Sequence, residues 1–273
     1  MKDPFGYQGK TVVVTGAAGS GMGGTTVAKL LEFGADVYAL DMKEVTLPVK
    51  KYIRIDLGKK GDIEDAARQL PARIDCLFNC AGLPGVPFSP FDVAVVNFLA
   101  ARHLTELLLP RMESGGAIAI IASHAGILWQ RRLDLIKGLL QIADWEKACD
   151  WLKAHADVND GYRFSKKCLV VYAKWRAPEL AKKNIRINCL CPGVTTTPMY
   201  GEYWEKRLTE NEEHWRDQQG PSGRNATPEE MAWPLLFLNS DLASYISGVD
   251  LYVDYGRDGE REVGLKERHS TDT

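Results

Sequence analysis

The chain has 273 residues, 45% of them hydrophobic and 26% charged, with a formal net charge of -2. That length and apolar content suffice for one large domain with a full core, and so balanced a charge gives no basic footprint for nucleic acid or anionic lipid. The opening MKDPFGYQGK is charged and broken by Pro4, so it lacks the apolar stretch of a signal peptide; with no apolar run of membrane-spanning length in the sequence, the expectation is a cytoplasmic protein.

Strand-like runs occur at residues 10–16, 35–41, 52–57, 74–82, 117–123, 185–193 and 249–256. They are short, rich in Val, Ile and Leu, and mostly end in Gly or Asp. Several are apolar on both faces, as parallel strands covered by helices must be. Helical candidates lie between them at 25–34, 97–112, 165–183 and 227–240. The alternation predicts an α/β fold, a doubly wound parallel sheet of about seven strands with helices on both faces and ligands at the carboxyl ends of the strands. Residues 257–273 are charged without an apolar period and read as a flexible tail after a domain spanning 1–256.

The strongest local signal is the first strand-to-helix turn, TGAAGSGMGG, from Thr15 to Gly24. Glycines there let a backbone approach a pyrophosphate at the positive end of a helix. Asp41 ends the next strand, where a carboxylate can accept hydrogen bonds from an adenosine ribose. The cysteines at 76, 80, 149, 168, 189 and 191 lack CxxC spacing and sequence-near histidines, so they read as core thiols, and no metal site is expected. Tyr162 and Lys166 are four residues apart and share a helix face. Spacing alone leaves two readings open, a reactive pair or a ring under a lysine stem. His124 beside Ser123 suggests no hydrolase, because no G-x-S-x-G elbow surrounds the serine.

Taken together, five motifs resemble the short-chain dehydrogenase/reductase family: the glycine turn with Thr15, Gly16, Gly21 and Gly23; NCAG at Asn79 to Gly82; Asn97; Ser123; and Tyr162 with Lys166. Pro192 and Gly193 add the family's Pro-Gly turn, and the match runs over residues 10–256. The resemblance implies a Rossmann-like catalytic domain that uses NAD to interconvert a secondary alcohol and a ketone. It implies Asn97, Ser123, Tyr162 and Lys166 as the catalytic set. The implied cofactor contacts are Gly16, Ser20, Gly21, Met22, Gly23, Asp41, Asp56, Leu57, Asn79, Ala81, Gly82, Tyr162, Lys166, Pro192, Gly193, Thr195 and Thr197. In this scheme Tyr162 exchanges a proton with the substrate oxygen, and Ser123 hydrogen-bonds that oxygen. Lys166 holds the ribose, and Asn97 positions a water that leads to solvent. A tyrosine base working near neutral pH needs its pKa lowered by about 2 to 3 units, which the lysine ammonium and the positive nicotinamide ring are expected to supply.

Three departures refine the resemblance. Four residues, not the usual three, separate Gly16 from Gly21, leaving open whether the Ser20 or the Met22 amide meets the phosphates. Only 14 residues separate Gly82 from Asn97, whereas 38 separate Ser123 from Tyr162. The last two features are similar to the bacterial 3α-hydroxysteroid dehydrogenase branch. The insertion, residues 127–160, carries Leu133, Ile136, Leu140, Ala143, Ala148 and Leu152 at roughly helical spacing, which predicts an amphipathic helical element at the substrate entrance or a subunit contact. Residues 194–226 are expected to form a substrate lid, with His124, Met199, Tyr200, Tyr203 and Trp204 as substrate contacts. These suit a bulky apolar substrate such as a hydroxysteroid, with a terpenoid or small cyclic alcohol as the alternative. A non-catalytic dinucleotide sensor and a sugar-nucleotide epimerase are the rival classes. The family likeness also implies a homo-oligomer, a dimer or a tetramer.

Asp41 generates the first testable outcome. A 2'-phosphate beside it meets repulsion of about 3 kcal/mol per unit charge at roughly 5 Å and an effective dielectric near 20, so kcat/KM is expected to favour NAD over NADP, and Asp41→Ala to narrow the gap. Equal kcat/KM with both cofactors contradicts the assignment.

Overall fold

Seven runs of aliphatic and β-branched residues pair, all in parallel, into one sheet of order β3-β2-β1-β4-β5-β6-β7. The strands are β1 (Thr11–Thr15), β2 (Asp36–Asp41), β3 (Lys51–Arg54), β4 (Ile74–Asn79), β5 (Met112–Ile121), β6 (Arg186–Pro192) and β7 (Asp250–Val253). The structure is a computed structural model and describes residues 3–199, 201 and 216–267. The order reverses between β1 and β4, which opens a crevice at the carboxyl ends of those two strands. All seven β6 residues are buried, because helices cover both faces. The Rossmann-like sheet expected from the alternation is the fold observed.

Two apolar layers sandwich the sheet. On one face Val12, Val14, Phe78 and Ile121 pack with Val27 and Leu30 of helix α1 (Met22–Glu32) and with Leu235 and Leu236 of a helix at Pro228–Asn239. On the other, Val13, Leu77, Ile118 and Ile120 pack under Phe98, Leu104 and Val170. That face is covered by α2 (Lys60–Gln69), α3 (Pro90–Ala94), α4 (Ala101–Leu108) and a long helix, α7 (Tyr162–Ala181). Helix α2 was not anticipated. It is half charged and buries only Ile63, Ala66 and Ala67, a stripe at i, i+3 and i+4. A π-helical stretch, Val95–Ala100, joins α3 to α4 and carries Asn97. The whole helical run Pro90–Arg111 is long and apolar enough to cross a membrane, which corrects the reading that no such run exists; 67% of its apolar window is buried inside the protein, as in a core helix.

The insertion is helical, but as two elements. Helices α5 (Leu133–Leu140) and α6 (Trp145–Ala154) are separated at Ala143, which is exposed, and at Asp144, whose carboxylate caps α6 by accepting from the Lys147 amide at 2.9 Å. Ile136, Leu139, Trp145, Ala148, Cys149 and Leu152 are buried in the same layer as α4 and α7. From α4, the buried Arg102 donates to the Leu139 carbonyl at 3.1 Å, closing the end of α5. The amphipathic stripe was read correctly at Ile136, Ala148 and Leu152, and wrongly at Ala143, where the cap ends the period.

The C-terminal region also departs from expectation. After α8, the helix at Pro228–Asn239, and β7, a short helix α9 (Arg257–Glu262) follows, with Arg257, Asp258 and Arg261 buried. Arg257 donates to the Gln218 side chain at 2.6 Å, and Arg261 donates to Asp217 at 2.5 Å and to Glu260 at 2.8 Å. Residues 257–262 therefore form a helix where a flexible tail was expected, with Arg257, Asp258 and Arg261 turned inward and Glu262, Lys266 and Glu267 exposed. A composition rule misses this because it scores arginine as solvated whether or not a carboxylate waits for it.

The burial of the insertion generates an outcome. Leu152→Ala removes a side chain that is 1% exposed and is expected to cost about 2 to 5 kcal/mol in urea denaturation. A loss within about 0.5 kcal/mol, the range of surface substitutions, shows the insertion to be a surface decoration.

Candidate active site

The glycine turn meets the crevice. Gly16 has φ +65°, and a Cβ there would lie 2.7 Å from the Ala81 backbone, so no other residue fits between β1 and the end of β4. Gly23 is constrained too, since its Cβ would stand 2.1 Å from the Gly16 carbonyl oxygen. Thr15, at the end of β1, accepts hydrogen bonds from the amides of Cys80 and Ala81 at 3.1 and 3.2 Å. Gly21 caps α1 without a side chain, nothing lies within 4 Å of its missing Cβ, and the first turn holds no acidic residue. Helix α1 starts at Met22, so the amides of Met22 and Gly23 are among those with no intrahelical acceptor. An open, carboxylate-free helix start beside a glycine cradle fits the pyrophosphate of a dinucleotide. The chain has the NAD(P)-binding form of the Rossmann fold, and the lengthened turn puts Ser20 outside the helix and Met22 at its first position.

Asp41 sits at the tip of β2, where its carboxylate accepts from the Ala18 amide at 2.9 Å and from the Lys43 amide at 2.8 Å. Asp56 and Leu57 lie just past β3; Asp56 accepts from the Gly58 amide at 2.9 Å. Next to Gly58 a cavity of about 110 Å³ is lined also by Phe91, Asp92, Val95, Val96, and Trp145 and Cys149 of α6. The insertion thus reaches the loop that carries Asp56 and Leu57. Asn79 is 4% exposed, and its amide donates to Thr105 on α4 at 3.0 Å. Its side-chain nitrogen therefore braces the sheet against a helix at the end of β4.

Ser123, Tyr162 and Lys166 converge at the carboxyl ends of β5 and β6. The Ser123 hydroxyl accepts from the Ala125 amide at 3.1 Å, which leaves its own proton to donate, and it hydrogen-bonds the Tyr162 side chain. Tyr162 is the first residue of α7, placed there by Gly161 at φ +77°, whose Cβ would stand 2.7 Å from the Pro90 Cα. Lys166 is 4% exposed; its Nζ donates to the Ile121 carbonyl at 3.0 Å and lies 5.5 Å from the Tyr162 ring centroid. Burial pushes the Lys166 pKa down to about 8. Burial also raises the Tyr162 pKa, against the Ser123 hydrogen bond, which lowers it. The depressed tyrosine pKa expected from the motif is thus absent from the protein alone. Asn97 holds the loop after NCAG: its oxygen accepts from the Leu83 amide at 2.6 Å, and its nitrogen donates to the Leu83 carbonyl at 3.1 Å and to Ser165 at 3.3 Å. Gly82 lies between this amide and the lysine, its missing Cβ 3.2 Å from Asn97 Oδ1 and 3.7 Å from Lys166 Nζ. Sequence reasoning overlooked Ser165. Its signal was a hydroxyl on the turn between Tyr162 and Lys166.

On the far side, the Gly193 amide donates to the Val253 carbonyl at 2.9 Å, and Thr195 donates to the Gly193 carbonyl at 3.1 Å. Thr197 accepts from the Gly201 amide at 3.1 Å through its carbonyl. His124 is half-buried, with Nδ1 3.1 Å from the Pro192 carbonyl. Met199 is exposed. Tyr200, Tyr203 and Trp204 lie outside the described residues, as does all of 202–215 in the expected lid. All six cysteines are free thiols, five buried and Cys80 half-buried, in agreement with the core-thiol reading.

The raised Tyr162 pKa has a measurable consequence. An ultraviolet difference titration of the cofactor-free protein against Tyr162→Phe is expected to show no phenolate from this residue below pH 10, the ordinary tyrosine value. A phenolate signal one or more units lower contradicts the burial argument.

Comparison with known proteins agrees with this geometry. The sequence pattern described as "short chain dehydrogenase" matches residues 10–132, and that described as "Enoyl-(Acyl carrier protein) reductase" matches residues 152–258. The unmatched stretch between them contains α5 and most of α6. The chain is 32% identical to coniferyl-alcohol dehydrogenase of Pseudomonas sp. (strain HR199), over 90% of this chain and 96% of that protein. It is 29% identical to 3-alpha-hydroxysteroid dehydrogenase/carbonyl reductase of Comamonas testosteroni, again over 90% and 96%. Among solved structures, the 3-alpha-hydroxysteroid dehydrogenase of Pseudomonas sp. B-0831, complexed with NADH, superposes with a TM-score of 0.77 at 24% identity, covering 95% of this chain and all of that one. With a relative at this identity over nine tenths of its length, two family patterns side by side and a serine, a tyrosine and a lysine gathered at the mouth of the sheet, the chain belongs to the short-chain dehydrogenase/reductase family of oxidoreductases.

Proposed function

We propose that the protein is an NAD-dependent oxidoreductase that interconverts a secondary alcohol and a ketone on a bulky apolar substrate such as a hydroxysteroid. The observation that carries the reading is the gathering of Ser123, Tyr162 and Lys166 at the open end of the sheet beside the glycine turn, with the Lys166 ammonium 5.5 Å from the Tyr162 ring centroid and Ser123 close enough to lower the tyrosine pKa. When bound, the nicotinamide accepts or donates the hydride. Tyr162 exchanges the proton with the substrate oxygen, and Ser123, its lone pair occupied by the Ala125 amide, donates to that oxygen and orients it. Lys166 is charged below pH about 8; it holds the ribose hydroxyls and favours the phenolate. Burial raises the Tyr162 pKa in the protein alone, and a positive charge beside the phenol, such as the oxidised nicotinamide would bring, would lower it toward a working base. Asn97 fixes the loop at Leu83 and hands Lys166 a route to solvent. Glycines 16, 21 and 23 with the Met22 amide seat the pyrophosphate, Asp41 the adenosine ribose, Asp56 and Leu57 the adenine, and Ala81, Gly82, Pro192, Gly193, Thr195 and Thr197 the nicotinamide half.

The 29% identity with a hydroxysteroid enzyme supports the steroid reading. The 32% identity with coniferyl-alcohol dehydrogenase favours a second one, oxidation of an aryl-substituted allylic alcohol on the same machinery. The protein works in the cytoplasm as a homo-oligomer, a dimer or tetramer as is common in the family, on a small-molecule substrate and without nucleic acid or membrane.

A panel of hydroxysteroids, aryl allylic alcohols, terpenoid alcohols and small cyclic alcohols with NAD, followed by reduced-cofactor absorbance, distinguishes these readings. Turnover is expected with hydroxysteroids. Turnover with aryl allylic alcohols alone transfers the assignment to the second reading, and NADH binding without any turnover identifies a dinucleotide sensor instead. With the best substrate, Tyr162→Phe is expected to lower kcat at least about a hundredfold while barely changing NAD affinity; near-normal turnover overturns the proton role.

A further inference from the structure

The hydrogen-bond ladder between β5 and β6 ends where the site begins. Ile121 pairs with Leu190, and the Ala122 amide donates to the Leu190 carbonyl at 2.8 Å. In a parallel pair the next rung runs from the amide of residue 192 back to the Ala122 carbonyl. Residue 192 is proline and has no N–H, so this rung cannot form. Beyond it the chain leaves the strand, because Ser123 caps a tight turn over His124–Gly126. The Pro192 carbonyl is nevertheless met, by the His124 ring, whose Nδ1 is 3.1 Å from that oxygen. A carbonyl oxygen only accepts, so Nδ1 carries the proton in this contact.

The contact joins the two loops on which the proposed chemistry depends. On one side His124 follows Ser123 directly. On the other, Pro192 precedes Gly193, whose amide is held by Val253 at 2.9 Å and whose carbonyl is held by Thr195 at 3.1 Å. Gly193 is packed so closely on β7 that a Cβ would lie 3.0 Å from the Asp254 Cα. The turn is therefore fixed toward β7 by backbone and packing, while toward β5 the His124 ring bridges to the Pro192 carbonyl one step beyond the rung that proline removes.

We infer that His124 is a positioning residue. Its Nδ1–H holds the Pro192–Gly193 turn against the Ser123 loop, so that the seat of the nicotinamide half and the hydroxyl that orients the reacting oxygen keep one fixed separation. This rests on the reading of Pro192 and Gly193 as part of the nicotinamide seat given above. It also gives His124 a different role from the substrate contact expected from its place in the sequence.

Three variants test the contact. The amide nitrogen of asparagine falls where the imidazole carries Nδ1–H, whereas that of glutamine matches Nε2, so His124→Asn restores the donor and His124→Ala and His124→Gln do not. Two readouts apply: hydrogen exchange of residues 190–197 in the cofactor-free protein, and NADH affinity by fluorescence titration. In the Ala variant the Gly193 and Thr195 amides are expected to exchange about threefold to tenfold faster and NADH to bind weaker by a similar factor, the range of one hydrogen bond. The Asn variant is expected within about twofold of wild type on both, with Gln resembling Ala. Unchanged exchange and affinity in the Ala variant, or an Asn variant as impaired as Ala, overturns the inference while leaving the proposed function standing. Failure of the wild-type protein to bind NADH overturns the dinucleotide reading and this inference with it.

Discussion

Everything at the carboxyl end of the sheet depends on how closely β1 approaches the end of β4. Gly16 leaves β1 with a positive φ and no side chain, and the backbone of Ala81 occupies the space a Cβ would need. The Thr15 hydroxyl fixes the same junction by accepting from two consecutive amides, Cys80 and Ala81. Because the turn is this tight, α1 begins directly above the crevice and Gly23 packs on the Gly16 carbonyl. The positive end of the helix is thereby delivered to the one place where the strand order reverses. A methyl group at Gly16 would push apart the strands that define the cleft.

The second constraint is electrostatic. Ser123 and Lys166 are buried and Tyr162 half-buried, and loss of solvent raises the tyrosine pKa and pulls the lysine down to about 8. Both shifts have the same cause, since burial penalises whichever form is charged. The protein alone therefore keeps the Tyr162 phenol protonated and its lysine near the midpoint of titration in mildly alkaline solution. A positive charge placed beside the phenol would lower its pKa and shift this balance. Ser123 and Asn97 are held by backbone amides at Ala125 and Leu83.

The insertion and the C-terminal helix show two ways of burying extra chain. Helices α5 and α6 add apolar side chains to an existing layer and tie it down with one buried arginine, Arg102, on the Leu139 carbonyl. They reach as far as the cavity beside Gly58, so residues inserted between Ser123 and Tyr162 touch the opposite end of the cleft. Helix α9 instead buries charge. Arg257 and Arg261 are worth burying only because Gln218, Asp217 and Glu260 are there to receive them.

The sequence by itself determined the sheet, because alternating apolar runs and amphipathic stretches are local patterns that survive any detail of packing. It also determined the glycine turn, Asp41 at the tip of β2, and Tyr162 with Lys166 on one helix face, since each is a matter of spacing within a few residues. Only the tertiary structure decided what these residues touch. Asn79 turned to Thr105, Asn97 to Leu83 and Ser165, and His124 to Pro192 because their partners come from other elements, and one-dimensional spacing carries no record of which donors and acceptors will meet. The same holds for the break at Ala143 and for α9. A cap or a buried arginine is favourable only when a specific amide or carboxylate is in reach, and that reach is set by the folded sheet and not by the chain's own periodicity.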